Sequence, residues 1–340
     1  MRAFIAITDA DWHRHLSSLA ARPGGLDEAN FWKPSGRSGF QALSFGEPLL
    51  FKLRVADGDA ITGFGLFAAF RRLSVIEAWR AFGEANGAAS LEQMAARVAQ
   101  YVAGVEPGRA ALHHRVGCVL LAAPVLFPRE MWIRKPDDWA PSIQVGKTYD
   151  TPVDEGRRVW QACLERAATL GQALDLGTPL GDSVGTVHQP SAQAPLFPRD
   201  PGDRYGTPQM VRPRLGQATF RYALEQAYGR CAVTGEHSLP ALDAAHIVPF
   251  GEDAAGHTLE NGLLLRADVH RLFDRGYVTV TGDYEFRVSR RLREDYHNGR
   301  VYYDLERELD GRTISLPSAP YPEPDLERLD RHASTVFLDA

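Results

Sequence analysis

The chain has 340 residues, more than one ordinary compact domain holds and enough for two. Hydrophobic residues make up 44% and charged residues 24%, which excludes a mainly disordered chain, and the formal net charge of -5 excludes general attraction to polyanions. No apolar stretch approaches the roughly 18 residues of a membrane span. With three cysteines and no signal peptide, a cytoplasmic location is expected.

The pattern of apolar residues predicts a mixed α+β domain over residues 1–152. Buried strands are predicted at 4–7, 48–54, 61–67 and 117–121, and helices at 74–82 and 90–102. Ser74 and Ser90 are the expected N-caps of these helices. Gly63 and Gly65 interrupt the third strand, which indicates a bulge or a close backbone approach.

Residues 153–215 are predicted to connect this domain to a second one. A helix with one apolar face is expected from residue 154 to 176. Seven of the 22 prolines follow between residues 177 and 215, and prolines so dense cannot lie within a helix or a central strand. This stretch is therefore predicted to be an extended, semi-stiff linker.

The second domain, residues 216–340, holds the residues from which a chemical function can be inferred. The predicted elements are a helix over 216–228, a strand entering a turn over 231–235, a strand ending at His246, and a helix over 267–276. Asn261 lies in the loop before that last helix, and His270 lies within it. A histidine that is neutral near pH 7 is suited to act as a general base, and residues four apart on a helix share one face.

The spacing of these three residues, together with the words around them, resembles the HNH endonucleases of the ββα-metal nuclease superfamily. The words are Ala-Ala-His-Ile-Val-Pro, Glu-Asn-Gly-Leu-Leu-Leu and Val-His-Arg-Leu-Phe-Asp. The resemblance implies a catalytic group of His246, Asn261 and His270, in which His246 activates water and Asn261 orients His246 or braces the ion's shell. It also implies that His270 and Asp274 hold one divalent metal ion, Mg²⁺, Mn²⁺ or Ni²⁺.

The chain departs from the family pattern in two places. Many HNH enzymes carry a metal ligand just before the catalytic histidine, where this chain has Ala245; we expect Asp243 to replace it as a ligand. Thr234 stands where a second cysteine would pair with Cys231, so no structural zinc is expected. Phosphate contacts are expected from Arg221, Arg271 and Arg275.

Three segments of the first domain, residues 30–36, 46–52 and 61–65, resemble the PUA-like superfamily, which includes the EVE and SRA domains that read modified bases. This resemblance implies a β-barrel with flanking helices and a pocket that receives a flipped base. The expected pocket residues are Phe31, Trp32, Trp132, Trp139, Gln144, Tyr149 and Asp150, and the expected phosphate contacts are Lys33 and Lys147.

Together these patterns predict a modification-dependent restriction endonuclease. It would read 5-methyl- or 5-hydroxymethylcytosine in double-stranded DNA and cut nearby as a homodimer. The long linker would let the cut position vary. Two alternatives stay open. One is an HNH-derived nucleic-acid-binding module with an inactive site, and the other is a defence nuclease whose first domain binds a protein or a small ligand.

Overall fold

The computed structural model describes residues 1–23, 25–36, 39–102, 105, 108–171, 215–249, 257–297 and 300–338. Within these ranges the first domain is built on one sheet of seven strands. The strands are β1 (Arg2–Thr8), β2 (Glu28–Lys33), β3 (Pro48–Leu53), β4 (Ala60–Ser74), β5 (Arg115–Leu126), β6 (Ile133–Arg134) and β7 (Gly146–Asp150). All four strands predicted here are confirmed.

The sheet is open. Its strand order is β2-β5-β4-β3-β1-β7, with β6 added to β4, and only the β1–β3 pair is parallel among these strands. Closing a barrel requires the two edge strands to pair, whereas β2 pairs with β5 and β7 pairs with β1. The mixed α+β class is thus confirmed, but no barrel is closed among the described strands and the PUA-like barrel is not confirmed.

The glycines in β4 mark the irregularity that their positions predicted. The register between β4 and β5 shifts between Phe64 and Leu66. A Cβ atom placed on Gly63 would lie 2.2 Å from the carbonyl oxygen of Val125, so no larger residue fits there.

Helices cover both faces of the sheet. They are α1 (Ala10–Ala20), α2 (Val75–Phe82), α3 (Leu91–Tyr101), α4 (Arg109–His113) and α5 (Asp154–Thr169). Ser74 and Ser90 cap α2 and α3 as predicted. The helix predicted to reach residue 176 ends at Thr169, because the chain turns at Gly171 with a φ of +71°. The predicted proline-rich linker lies outside the described residues.

The second domain contains a strand–strand–helix unit. Its elements are α6 (Gln217–Tyr228), β8 (Leu242–His246), β9 (Gly262–Arg266), α7 (Ala267–Phe273), β10 (Val278–Val280), β11 (Phe286–Val288), α8 (Arg291–Glu294), α9 (Arg300–Leu309) and α10 (Leu326–Thr335). β8 and β9 are antiparallel, and α7 follows β9 directly. The strand predicted over 231–235 is wrong: these residues form a turn in which Gly235 N donates to Cys231 O.

The two domains share one hydrophobic core, in which α6 packs against β4 and α2. Gln226 accepts a hydrogen bond from the backbone N–H of Phe70, and the Tyr222 ring stacks on Phe82. Arg71 donates to the carbonyl oxygen of Tyr222 at 2.8 Å. These contacts fix the second domain on the first. The loose cut position expected from a long linker stays a prediction. No helix within the described ranges has the length and apolar character needed to cross a membrane.

Candidate active site

The strand–strand–helix unit brings three ionisable side chains together. Asp243 lies in β8, His270 lies in α7, and Asp274 lies immediately after α7. His270 Nδ1 is 3.5 Å from Asp243 Oδ2, and His270 Nε2 is 3.3 Å from Asp274 Oδ2. The imidazole therefore stands between two carboxylates, one at each ring nitrogen.

His246 is the last residue of β8 and lies opposite Gly262 of β9. Its ring stacks on Phe220 of α6, with a centroid distance of 4.5 Å and an interplanar angle of 17°. Its Nε2 atom lies 2.8 Å from Nδ1 of His257. Burial lowers the pKa of His257, and the charge of Asp27 acts in the opposite direction. A second imidazole thus stands beside the predicted general base.

Asn261 fixes the chain that follows His246. Its side chain is fully buried and bonds to both backbone groups of Val248: Oδ1 accepts from the N–H, and Nδ2 donates to the carbonyl oxygen, each at 2.9 Å. The Asn261 carbonyl oxygen also accepts from the N–H of Ile247 at 3.0 Å. Asn261 is therefore placed to hold the backbone beside His246, which is one of the two roles expected of it.

The site combines a histidine that ends one strand, a buried asparagine before the next strand and a histidine on the following helix. Residues 231–281 match the family model of the HNH endonucleases. The matched segment includes β8, β9, α7 and β10, and it suggests a DNA nuclease domain. A comparison with curated proteins found no match.

His270 and Asp274 together have two donor atoms that could hold a divalent ion. Two ligands about 2.1 Å from an octahedral ion stand about 3 Å apart. His270 Nε2 and Asp274 Oδ2, 3.3 Å apart, fit that separation. No group of three or more His, Cys, Asp or Glu side chains able to hold a metal is found in the described parts of the chain, so water and substrate oxygens would complete the shell.

Asp243 stands at the other nitrogen of His270. The lone pairs of the two ring nitrogens diverge, so one ion cannot contact both. Metal-binding histidines usually donate their second N–H to a carboxylate, which fixes the ring orientation. An ion on Nε2 of His270 would leave Asp243 to orient the ring through Nδ1, whereas an ion on the Nδ1 side would use Asp243 as the ligand that the sequence predicts. Asp243 as a metal ligand therefore stays a prediction.

The three arginines of the expected phosphate contacts differ in their surroundings. Arg221 is held by the protein, since it donates to Glu225 Oε1 at 3.0 Å and to the carbonyl oxygen of Leu242 at 3.1 Å. Arg271 and Arg275 are exposed beside Asp274 in sequence. These two stay predictions for phosphate contact.

The residues expected to form the base-reading pocket do not come together at one place. Phe31 packs in the core beneath α1, with its ring centroid 5.4 Å from that of Trp12. Trp32 donates its indole N–H to the carbonyl oxygen of Asn86. Lys33, at the end of β2, donates to a backbone carbonyl oxygen in the next loop.

The other members of the expected pocket lie at the far edge of the sheet. Trp139 and Tyr149 are buried in the core beneath α5. Gln144 and Asp150 are exposed at and near β7, and Lys147 pairs there with a neighbouring carboxylate. Since β2 and β7 are opposite edges of the sheet, these residues and Phe31 cannot line one pocket together.

Trp132 differs from the other candidates because it lines a cleft of about 340 Å³ between α1 and the segment after β5. The cleft also contains His13, Arg14 and Arg129. The Arg129 guanidinium lies 5.9 Å from the centroid of the Trp132 ring, and burial lowers the pKa of His13. Sequence reasoning missed these partners. Apolar residues recur at Trp12 and about one and two helical turns after it. This spacing is the sequence signal that could have predicted α1.

Proposed function

We propose that the chain is a metal-dependent DNA endonuclease that hydrolyses phosphodiester bonds at the HNH site. The observation that carries the proposal is His246 at the end of β8, within the segment that matches the HNH family model and followed by backbone that Asn261 holds. His270 and Asp274 would hold one Mg²⁺, Mn²⁺ or Ni²⁺ ion. When bound, this ion supplies Lewis-acid stabilisation of charge on the phosphate and on the leaving oxygen.

The proposed reaction assigns one proton transfer to the protein. His246 takes a proton from water, the water oxygen forms a bond to phosphorus, and the bond from phosphorus to the 3′ oxygen breaks. The 3′ oxygen then takes a proton from solvent. Arg271 and Arg275 would contact neighbouring phosphates, where a guanidinium can make paired hydrogen bonds.

We further propose that the first domain selects DNA that carries 5-methyl- or 5-hydroxymethylcytosine, by flipping the modified base. The cleft beside Trp132 supports this proposal, because it combines an aromatic ring with two guanidinium groups. Its volume lies at the small end of ligand pockets, in the range suited to a single base with its sugar.

A homodimer would account for cutting both strands. Each chain has one HNH site, and one site hydrolyses one strand at a time. Two copies related by a two-fold axis would face the two antiparallel strands of the duplex in equivalent ways.

One observation favours a second candidate, a DNA-binding module without cleavage. Within the described residues the HNH site has two candidate metal ligands and Ala245 at the position of a frequent third. Such a module would bind the same DNA but leave it intact.

The test uses one plasmid prepared unmodified, with 5-methylcytosine and with 5-hydroxymethylcytosine, each with Mg²⁺ or Mn²⁺. We expect cutting of modified plasmid alone, reduced by roughly 10²- to 10⁴-fold in His246→Ala. Trp132→Ala and Arg129→Ala should lose the preference for modified DNA, whereas Arg80→Ala, an exposed arginine of α2 outside the cleft, should keep it.

The outcomes separate the proposals. Equal cutting of all three plasmids would retain the nuclease and overturn the reading of modified bases, leaving a first domain that binds a protein or a small ligand. Binding without cutting, under every metal tried, would favour the inactive module.

A further inference from the structure

We propose that His332 of α10 is a positioning residue for the metal site: it holds the peptide unit that carries Asp274 and so sets the place of that carboxylate relative to His270. The inference rests on the proposed function, because it takes His270 and Asp274 as the ligands of the ion. His332 lies outside residues 231–281, the segment that matches the HNH family model, so neither the motif nor the match assigns it a role.

α7 is a short helix, and the proposed ligands lie at its end. It spans seven residues, which are too few to form a stable helix without packing against the rest of the protein. Asp274 follows its last residue directly, and the Asp274 side chain is more than half exposed. The direction in which this carboxylate is presented therefore depends on what holds the end of the helix.

The peptide unit between Phe273 and Asp274 is hydrogen-bonded at both of its polar groups. The N–H of Asp274 donates to the carbonyl oxygen of His270 at 3.0 Å. The carbonyl oxygen of Phe273 accepts from Nε2 of His332 at 3.1 Å and from the N–H of Gly276 at 3.0 Å. The bond from His332 comes from outside α7 and the turn that follows it, so it ties the end of α7 to α10.

Both ring nitrogens of His332 have partners, and these partners define its protonation. A carbonyl oxygen can only accept, so Nε2 carries the proton that the Phe273 oxygen receives. Burial lowers the pKa of His332 to about 4, so the ring is neutral near pH 7 and Nδ1 accepts from Oγ1 of Thr279 at 2.8 Å. The ring also stacks on that of Phe273, with a centroid distance of 3.7 Å and an interplanar angle of 6°. Together these contacts favour one orientation, in which Nε2 points at the end of α7.

The residues after α10 hold the turn on the other side of Asp274. The N–H of Leu338 donates to the carbonyl oxygen of Gly276 at 2.9 Å. A Cβ atom placed on Gly276 would lie 2.0 Å from the carbonyl oxygen of Val336, so the chain passes directly over this turn. Asp274 thus lies between two backbone groups that one segment, distant in sequence, holds in place.

The test compares two substitutions of His332 in the full chain. His332→Gln keeps an N–H donor near the place of Nε2 but loses the aromatic stack, whereas His332→Phe keeps the stack and loses the donor. Electron paramagnetic resonance of Mn²⁺, without DNA, measures metal binding. We expect His332→Phe to weaken Mn²⁺ binding by about tenfold or more, and His332→Gln to bind Mn²⁺ nearly as the original protein does.

Leu305→Ala is the matched control for a general loss of stability, because it truncates a buried side chain of α9, which packs on β11. It should lower the free energy of unfolding and leave Mn²⁺ binding of the folded protein unchanged. Equal Mn²⁺ binding by His332→Phe and the original protein would overturn the inference. An equal loss of binding in Leu305→Ala would overturn it as well, since the effect would then follow from stability alone.

Amide hydrogen exchange separates this inference from the proposed function, because it needs neither metal nor DNA. The amide of Asp274 should exchange faster in His332→Phe than in His332→Gln or Leu305→Ala, because the peptide unit has lost its tie to α10. Unchanged exchange would exclude the hold of His332 on α7. Absence of Mn²⁺ binding by the original protein would instead contradict the proposed metal site, and the exchange rate would then decide the hold of His332 by itself.

Discussion

At the scale of single residues, His270 shows how one imidazole can separate two carboxylates into different roles. Asp274 faces Nε2 and Asp243 faces Nδ1, and one metal ion reaches only one of these nitrogens. If Asp274 shares an ion with His270, as we propose, Asp243 is left to orient the ring.

This arrangement predicts a graded response to substitution. Asp243→Asn should weaken Mn²⁺ binding by about 10- to 100-fold. Asp274→Ala, which removes a proposed ligand, should weaken Mn²⁺ binding by more. Electron paramagnetic resonance of Mn²⁺ without DNA measures both. Asp268→Ala, which changes an acid of α7 that pairs with Arg266, is the control and should bind normally. Equal losses in the two test variants would restore Asp243 as a ligand.

The spacing of the motif predicts His246, Asn261, His270 and Asp274 as one group, and these residues all fall in the strand–strand–helix unit or directly beside it. The spacing did not indicate His257, which lies against His246 through a ring contact that no local pattern encodes. The base-reading residues were not predictable from residue type either. An aromatic side chain such as Phe31 is equally suited to a core and to a pocket, and burial decides between them.

At the scale of elements, α6 depends on a residue from the other domain for its N-terminal cap. The helix begins after Gly216, which has no side chain to cap it. Glu28 of β2 fills this place, since its Oε2 accepts from the N–H of Thr219 at 2.7 Å. The helix that stacks Phe220 on His246 is thereby tied to the edge of the first-domain sheet.

Glu28 also gives this contact a pH dependence. Burial raises the pKa of Glu28, outweighing the hydrogen bonds from Thr219 that act in the opposite direction. A carboxyl whose pKa is higher in the folded state stabilises the fold below its unfolded pKa, and this stabilisation is lost as pH rises through the folded value.

We therefore expect Glu28→Gln, which keeps an acceptor for Thr219, to have the same free energy of unfolding as the original protein in acid. Above neutral pH the variant should have the higher free energy of unfolding, because it lacks the buried charge. Glu28→Ala should cost about 1 kcal/mol through loss of the cap. Urea unfolding across pH 4.5 to 8 measures both, with Glu92→Gln at an exposed acid as the control. A stability difference between Glu28→Gln and the original protein that does not change with pH would contradict the assignment.

The sequence predicted the start of a helix where the capping residue is a neighbour in sequence. Where the cap comes from a distant residue, the sequence predicted the helix but not its cap. Ser74 and Ser90 start α2 and α3 where the sequence indicates, because each cap is the residue directly before its helix. The cap from Glu28 to α6 joins residues that are distant in sequence. No local pattern links such positions.

At the scale of the whole molecule, the two domains behave as one packing unit. A single hydrophobic cluster runs from Phe45 and Leu120 of the first domain to Ala223 and Leu329 of the second. Composition and the density of prolines predicted two domains. A linker sequence, however, sets only the maximum distance between the domains that it joins. Their contact depends on surfaces that form only after folding.

This shared core predicts one cooperative thermal transition for the original protein. Tyr222→Ala removes the stack on Phe82 and a cation–π contact with Arg71, and it should separate the unfolding of the two domains into two transitions in calorimetry. Tyr303→Ala, a change at an exposed tyrosine of α9, should leave a single transition. Two transitions in the original protein would contradict a common unit.

The order of synthesis gives the interface between β4 and α6 a further consequence. The strands of the first domain leave the ribosome well before residues 217–228 exist, and domains generally fold in the order in which they emerge. The nascent sheet is therefore complete except for the helix that covers part of it. Because α6 and its cap at Glu28 come from opposite sides of that contact, the part of the chain that matches the HNH model is assembled last, on a sheet that has already formed.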